Sequence, residues 1–230
     1  MSATTLFFSL LGGVLPALLW LWFWLREDRL HPEPRSLILA SFLAGMLAVL
    51  LALPAEQWLW NRLSTMTYVI IGWAVIEEVV KLGASYLGAL RNRENNEPID
   101  SLIYLITAAL GFSALENTLF LVGAVKTGGF VEGLDLGVLR FVGATLLHVI
   151  SSGALGFVLA LGFCKRGIRR KLGIIAGLLL AIILHALFNL FILKSEGSAT
   201  YTLTVFSFVW LAVALLLIGF EKVKQLKCVC

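Results

Sequence analysis

An all-α, polytopic transmembrane bundle of about seven spans is the fold class this chain predicts. Of its 230 residues, 60% are hydrophobic, and the mean hydropathy of +0.94 lies well beyond that of a soluble domain. The apolar residues run on without alternation for about 20 positions at a time, the length that carries a helix across a bilayer core. A transmembrane barrel alternates apolar and polar residues over about ten positions instead. No polar stretch is long enough to fold separately, so residues 1–230 form a single domain with its core motifs in 67–194.

The first span, 5–25, has no basic segment ahead of it and carries Trp20, Trp22 and Trp24 at its far end. That is an interfacial belt on a retained helix rather than a cleaved signal peptide. The second, 36–54, stops at Pro54, because proline removes a helical hydrogen bond. Residues 55–66 then lie along the interface with Trp58 and Trp60 at headgroup depth. The third span covers 67–90. The fourth, 99–124, opens on Asp100, an acid favoured by the helix dipole. The remaining spans are 137–163, 172–194 and 200–220.

Net charge is +4, and its distribution orients the bundle. Arg26, Arg29, Arg35, Arg91, Arg93, Lys165, Arg166, Arg169, Arg170, Lys171, Lys222, Lys224 and Lys227 fall on one side; the other holds only Arg62, Lys126, Arg140 and Lys194. Basic residues stay cytoplasmic, so the N-terminus is outside and the C-terminus cytoplasmic. The chain is therefore a multi-pass protein of the cell membrane whose surroundings are the lipid bilayer. Nucleic acid is excluded as a partner, because no soluble basic surface exists. Cys164, Cys228 and Cys230 fall at cytoplasmic edges, where thiols stay reduced. The basic tail ending in Cys228 and Cys230 is read as unmodified, with lipidation as the alternative.

The third span carries Glu77, Glu78 and Lys81 near its middle. Each such group at the bilayer centre costs about 2.5–3.5 kcal/mol, so a functional site is the first reading. Lys81, four residues after Glu77, shares its face and offsets its charge. Glu78 points about 100° away, toward another partner.

Further polar residues recur in later spans: Glu116 and Asn117 in the fourth, His148 in the fifth, His185 and Asn189 in the sixth. Counted from the outer ends, Glu77, Glu116, His148 and His185 all lie about 12–17 Å below the outer surface. Singly, each has a plain structural reading: a histidine bonding across helices, an asparagine joining helices, Glu116 neutralising Lys81. Independent accidents would scatter in depth, and together these residues form a site. Peptide hydrolysis is the chemistry that fits. A desolvated glutamate activates water, histidine shares that task, and Asn and His donors stabilise an oxyanion. Two alternatives remain: a zinc site with Glu116, His148 and His185 as ligands and Glu77 as base, and a proton- or ion-coupled transporter, since such chains also relay protons.

The motifs Glu77-Glu78-x-x-Lys81, Phe112-x-x-x-Glu116-Asn117, His148 and His185-x-x-x-Asn189 resemble, in order and on successive helices, those of the PrsW-type intramembrane proteases. These are distant relatives of the CAAX prenyl endopeptidases and bacteriocin-processing membrane proteins. The loop His31-Pro-Glu-Pro-Arg35 and the Asp100–Tyr104 entry resemble the family as well. The resemblance implies an intramembrane endopeptidase that cuts a single-span, anti-sigma factor-like membrane protein near the extracytoplasmic side, opening a stress-response cascade. It implies Glu77 as the water-activating base and Glu78 and Lys81 as its supports. Glu116 and His148 complete the site, and His185 with Asn189 stabilises the oxyanion. Asn117 and Phe112 contact substrate, and no obligatory metal cofactor takes part. In the CAAX enzymes His stands where this chain has Glu116, and His148 is expected to supply that imidazole.

Overall fold

The computed structural model describes residues 3–28, 32–195 and 198–226. Its elements are α1 (Ala3–Leu25), α2 (Arg35–Trp60), α3 (Met66–Ser85) running into a π turn (Tyr86–Leu90), α4 (Pro98–Leu139), a second π turn (Arg140–Ala144), α5 (Thr145–Leu161), α6 (Ile168–Lys194) and α7 (Ala199–Lys224). Among the described residues there is no strand. Five helices are long and apolar enough to cross a membrane: α1, α2, the run Pro98–Leu161, α6 and α7. The 20-residue α3 is not among them, because Glu77, Glu78 and Lys81 interrupt its apolar character.

The run Pro98–Leu161 is a helical hairpin. Gly129, with φ 87° and ψ −172°, breaks it, a backbone state that a side chain opposes. A Cβ on Gly133 would lie 2.4 Å from Val125, and one on Gly137 would lie 3.4 Å from Leu121. Ser113 Oγ donates to Thr145 Oγ1 at 3.2 Å, and Gly156 faces Leu102. Every one of these pairs is centred on Gly129, so α4 and α5 run antiparallel along their whole length. The expected loop at 125–136 is thus helical, with its reversal confined to the one residue that allows it.

The α4 arm is the axis of the bundle, and its residues from Pro98 to Ala114 are all buried. Its crossing with α2 brings backbone against backbone. A Cβ on Gly45 would lie 2.0 Å from the Ala108 carbonyl oxygen, and one on Gly111 would lie 1.9 Å from that of Phe42. Only glycine permits such an approach, which is how apolar helices gain contact when lipid competes equally for their surfaces. On the other flank α1 and α7 close the core, with Trp24 stacked on Phe220 at 5.1 Å. Pro54 does not end α2, which continues to Trp60; neighbouring helices compensate a membrane proline. The indole of Trp73 donates to the Glu56 carbonyl at 3.2 Å, so residues 55–60 pack on α3 instead of lying along the interface.

Cys164 is disulfide-bonded, against the expectation of a reduced thiol. The readings placed on His31, Cys228 and Cys230 lie outside the described residues.

At the end of the bundle where α4 begins, Asp100 Oδ2 accepts the backbone N–H groups of Asn96 and Glu97 at 2.7 Å each, completing a capping box with Glu97. The Tyr104 hydroxyl donates to Glu33 in the α1–α2 loop. Burial pushes the Glu33 carboxyl up to about 8, aided by its hydrogen bond to Asp100 and opposed by Tyr104. A carboxyl raised in the folded state contributes stability that is complete below its unfolded value and lost as pH rises through its folded one. The melting temperature is expected to fall between about pH 5 and pH 8. In Glu33→Gln, which keeps the protonated shape, that slope should flatten. An equal slope in parent and variant would separate Glu33 from the effect.

Candidate active site

In α3 the buried residues are Val69, Ile70, Ala74, Glu77, Glu78, Lys81, Ala84 and Ser85, a stripe at helical spacing. The opposite face presents Ile71, Val75 and Val79, each more than a third exposed, to the surroundings. The polar residues therefore occupy the face a soluble amphipathic helix gives to its core. They meet α5 and α6 there, with α4 closing the cluster.

Lys81 bonds Glu78, not Glu77: its Nζ lies 2.5 Å from Glu78 Oε1, with the side chains 1% and 0% exposed. Spacings of three and four residues both share a face, and the rest of the cluster selects the former. Glu78 Oε1 also accepts from Ser151 Oγ at 2.9 Å and faces His185 Nδ1 at 2.7 Å. Lys81 Nζ lies 3.0 Å from His148 Nδ1 and 5.4 Å over the Phe112 ring. On its other side His148 Nε2 lies 3.1 Å from Glu116 Oε2.

These partners fix both imidazoles. An ammonium only donates and a carboxylate only accepts. His148 must therefore carry its proton on Nε2 toward Glu116 and offer the Nδ1 lone pair to Lys81. A neutral His185 carries its proton on Nδ1 toward Glu78 and leaves Nε2 bare. That bare Nε2 faces Glu77 Oε2 at 3.7 Å, while His148 Nδ1 lies 3.9 Å from the same oxygen. Glu77 Oε2 is buried and has no hydrogen-bond partner. Native structures rarely leave a buried acceptor unpaired, at a cost of about 1–3 kcal/mol. Here two acceptors face one another with no protein donor between them, an arrangement suited to a water molecule or a cation. One donor atom from each of Glu77, His148 and His185 lies within 4.8 Å of the other two, and one carboxylate with two imidazoles is a donor set known from catalytic zinc. Glu116, the carboxylate of the zinc alternative, instead bonds Arg140 and the far nitrogen of His148.

The structure thus gathers Glu77, Glu78, Lys81, Glu116, His148 and His185 from four helices into one cluster. Asn117 and Phe112 are buried and face protein. The Asn117 amide donates to Ser113 Oγ at 3.1 Å and Thr145 Oγ1 at 2.9 Å, and Phe112 packs 5.5 Å from the His148 ring. Asn189, one turn beyond His185, is half-buried and makes no hydrogen bond among the described residues. His185 turns Nδ1 to Glu78 and Nε2 toward Glu77. Ser151 and Arg140 join the cluster without having been singled out in the sequence. Ser151 is one turn from His148, while Arg140 entered the sequence reading only in the charge tally that orients the bundle.

Against known proteins, the family described as "PrsW family intramembrane metalloprotease" matches residues 33–218. Protease PrsW of Geobacillus kaustophilus (strain HTA426) is 28% identical over 225 residues, covering 96% of this chain and 93% of its own length. Protease PrsW of Oceanobacillus iheyensis is 27% identical over 201 residues, covering 85% and 87%, and that of Clostridioides difficile is 25% identical over 194, covering 80% and 78%. No solved structure matches the chain.

Breaking a buried ion pair by removing one member typically costs about 3–5 kcal/mol, because the other charge is left uncompensated. Lys81→Met is expected to lower thermal stability in detergent accordingly. The double variant Glu78→Gln with Lys81→Met should recover much of the loss. A Lys81→Met protein that melts with the parent would show that Glu78 does not depend on the ammonium.

Proposed function

The chain belongs to the PrsW family of intramembrane proteases and is a multi-pass membrane enzyme; from that premise we propose that it hydrolyses a peptide bond of a membrane-anchored, single-span protein near the extracytoplasmic side. The proposal takes each of α1 to α7 as one crossing, with the N-terminus outside and the C-terminus cytoplasmic. The asymmetry of lysine and arginine supports this, as does the reversal at Gly129. Family resemblance supports an anti-sigma factor as substrate and a stress response as the setting.

One observation carries the chemistry: the unpartnered Glu77 Oε2, buried between two imidazoles inside an apolar bundle. We assign Glu77 as general base. It takes a proton from a water aligned between its oxygen and His185 Nε2 as the hydroxyl attacks the scissile carbonyl, then delivers that proton to the leaving amine. Glu78 does not react in this scheme: its Oε1 holds Lys81, Ser151 and His185, and its Oε2, buried without a partner like Glu77 Oε2, does not lie between the two imidazoles. Asn189, with its amide uncommitted, is assigned the donor role toward the oxyanion.

A second reading is favoured by the converging donors of Glu77, His148 and His185 and by the word metalloprotease in the family's description. These three residues would hold a divalent ion, with His148 Nδ1 released from Lys81, and the ion would supply Lewis-acid activation of water when bound. Glu78 and Glu116 then orient the imidazoles through the protons on their outer nitrogens.

The test compares wild type and Glu77→Gln in liposomes containing single-span membrane proteins, each with and without a zinc chelator. Glu77→Gln is expected to melt close to the parent and to cleave about 10²–10⁴-fold more slowly. A Gln variant that cuts at the parental rate removes the base assignment. Loss of wild-type cutting on chelation, with recovery on adding zinc, selects the metal reading; indifference to the chelator selects the metal-free one.

A further inference from the structure

We propose that Arg140 is a positioning residue that holds His148 in its single working tautomer through Glu116. Its meaning for catalysis rests on the protease reading above; its test does not. Arg140 Nε donates to Asn117 Oδ1 at 2.5 Å, a terminal guanidinium nitrogen donates to Glu116 Oε2, and the guanidinium lies 3.9 Å over the Phe120 ring. Three residues of α4 therefore grip one side chain from the α5 arm. The Glu116 oxygen bonded by Arg140 is the same oxygen that faces His148 Nε2 at 3.1 Å. Arg140 and Glu116 are 14% and 16% exposed, far less than in a solvated surface pair.

The second π turn makes this contact possible. In an uninterrupted α-helix, a residue eight positions before His148 lies about 80° around the axis from it. A π turn takes up one additional residue, which brings Arg140 to within about 20° of the His148 direction. Arg140 and His148 then address one carboxylate together. Such turns occur often at functional sites and rarely elsewhere.

The geometry assigns Arg140 a directional task beyond joining helices. It fixes the Glu116 carboxylate as an acceptor aimed at Nε2. The Nε2 proton leaves Nδ1 bare toward Lys81 and Glu77. Without the guanidinium, Glu116 is free to turn away, and the imidazole loses one of the two contacts, the other being Lys81 on Nδ1, that keep its proton on the outer nitrogen. Arginine's rigid fork matters here, because a lysine supplies the charge without the paired geometry.

The experiment is nitrogen-15 NMR of histidine-labelled full-length protein in detergent, metal-free and at one pH. His148 is assigned by comparison with His148→Ala, and parent, Arg140→Gln, Arg140→Lys and Glu116→Leu are then compared. The parent is expected to show one His148 tautomer, protonated at Nε2. Arg140→Gln should lose it in favour of mixed or averaged resonances, and Arg140→Lys should restore it in part. A purely structural brace would lower the melting temperature and leave the tautomer unchanged, and that result overturns the proposal. Should Arg140→Gln fail to fold, Glu116→Leu keeps a similar volume while removing the acceptor that Arg140 aims. A single Nε2-protonated His148 in that variant overturns the proposal equally. Neither result bears on whether Glu77→Gln cuts, so the two readings fail separately.

Discussion

Every arrangement around the cluster follows from one constraint: a charge inside an apolar bundle must be answered by another group at bonding distance. Lys81 and Glu78 answer each other at 2.5 Å, and neither could stay buried alone. Once that pair is set, the remaining lone pairs and protons have few choices. Glu78 draws the His185 proton to Nδ1, Lys81 draws the His148 lone pair to Nδ1, and Glu116 draws the remaining His148 proton to Nε2. Glu77 is left outside this pairing, and the proposed mechanism gives it the reacting role. The buried pair thus sets specificity and orientation; net stability is not its evident contribution.

The scaffold serves that arrangement. The α4–α5 hairpin supplies Glu116 and His148 from opposite arms, so their separation depends on packing within one element instead of on loops. The crossing of α2 with α4 at Gly45 and Gly111 fixes the hairpin against the first half of the chain. α3 and α6 bring in the remaining residues from either side. The exposed faces are leucine, isoleucine, valine and phenylalanine almost throughout, which is why the polar face of α3 has nowhere to point but inward.

Much of this was legible in the sequence. Helix positions followed from apolar run length, and the gathering of Glu77, Glu116, His148 and His185 followed from their shared depth. The rest was hidden for identifiable reasons. Pro54 reads as a stop because its missing hydrogen bond is visible in the chain, while the packing of residues 55–60 on α3, as in the Trp73 bond to the Glu56 carbonyl, is not. Residues 125–136 read as a loop because glycines and charges cluster there, although only Gly129 breaks the helix. Periodicity puts Lys81 beside Glu77 and Glu78 alike, and only the position of Ser151 and His185 decides between them. Arg140 lies three residues inside the expected fifth span and entered the sequence reading only in the charge tally. A π turn has no sequence signature comparable to a cap or a glycine stop.

Because the hairpin's facing pairs are all centred on Gly129, the two arms behave like the scales of a slide rule. Adding or removing a residue on one arm alone would move Glu116 past His148 by about 1.5 Å and turn it by about 100°. Equal changes on both arms, near the tip, would leave the setting intact. Lineages sharing this architecture should therefore vary the length of the tip in matched steps, and a one-sided change should coincide with the gain or loss of a π turn. Helix irregularity, in that view, is a length correction: the second π turn absorbs one residue so that Arg140 reads the same mark as His148.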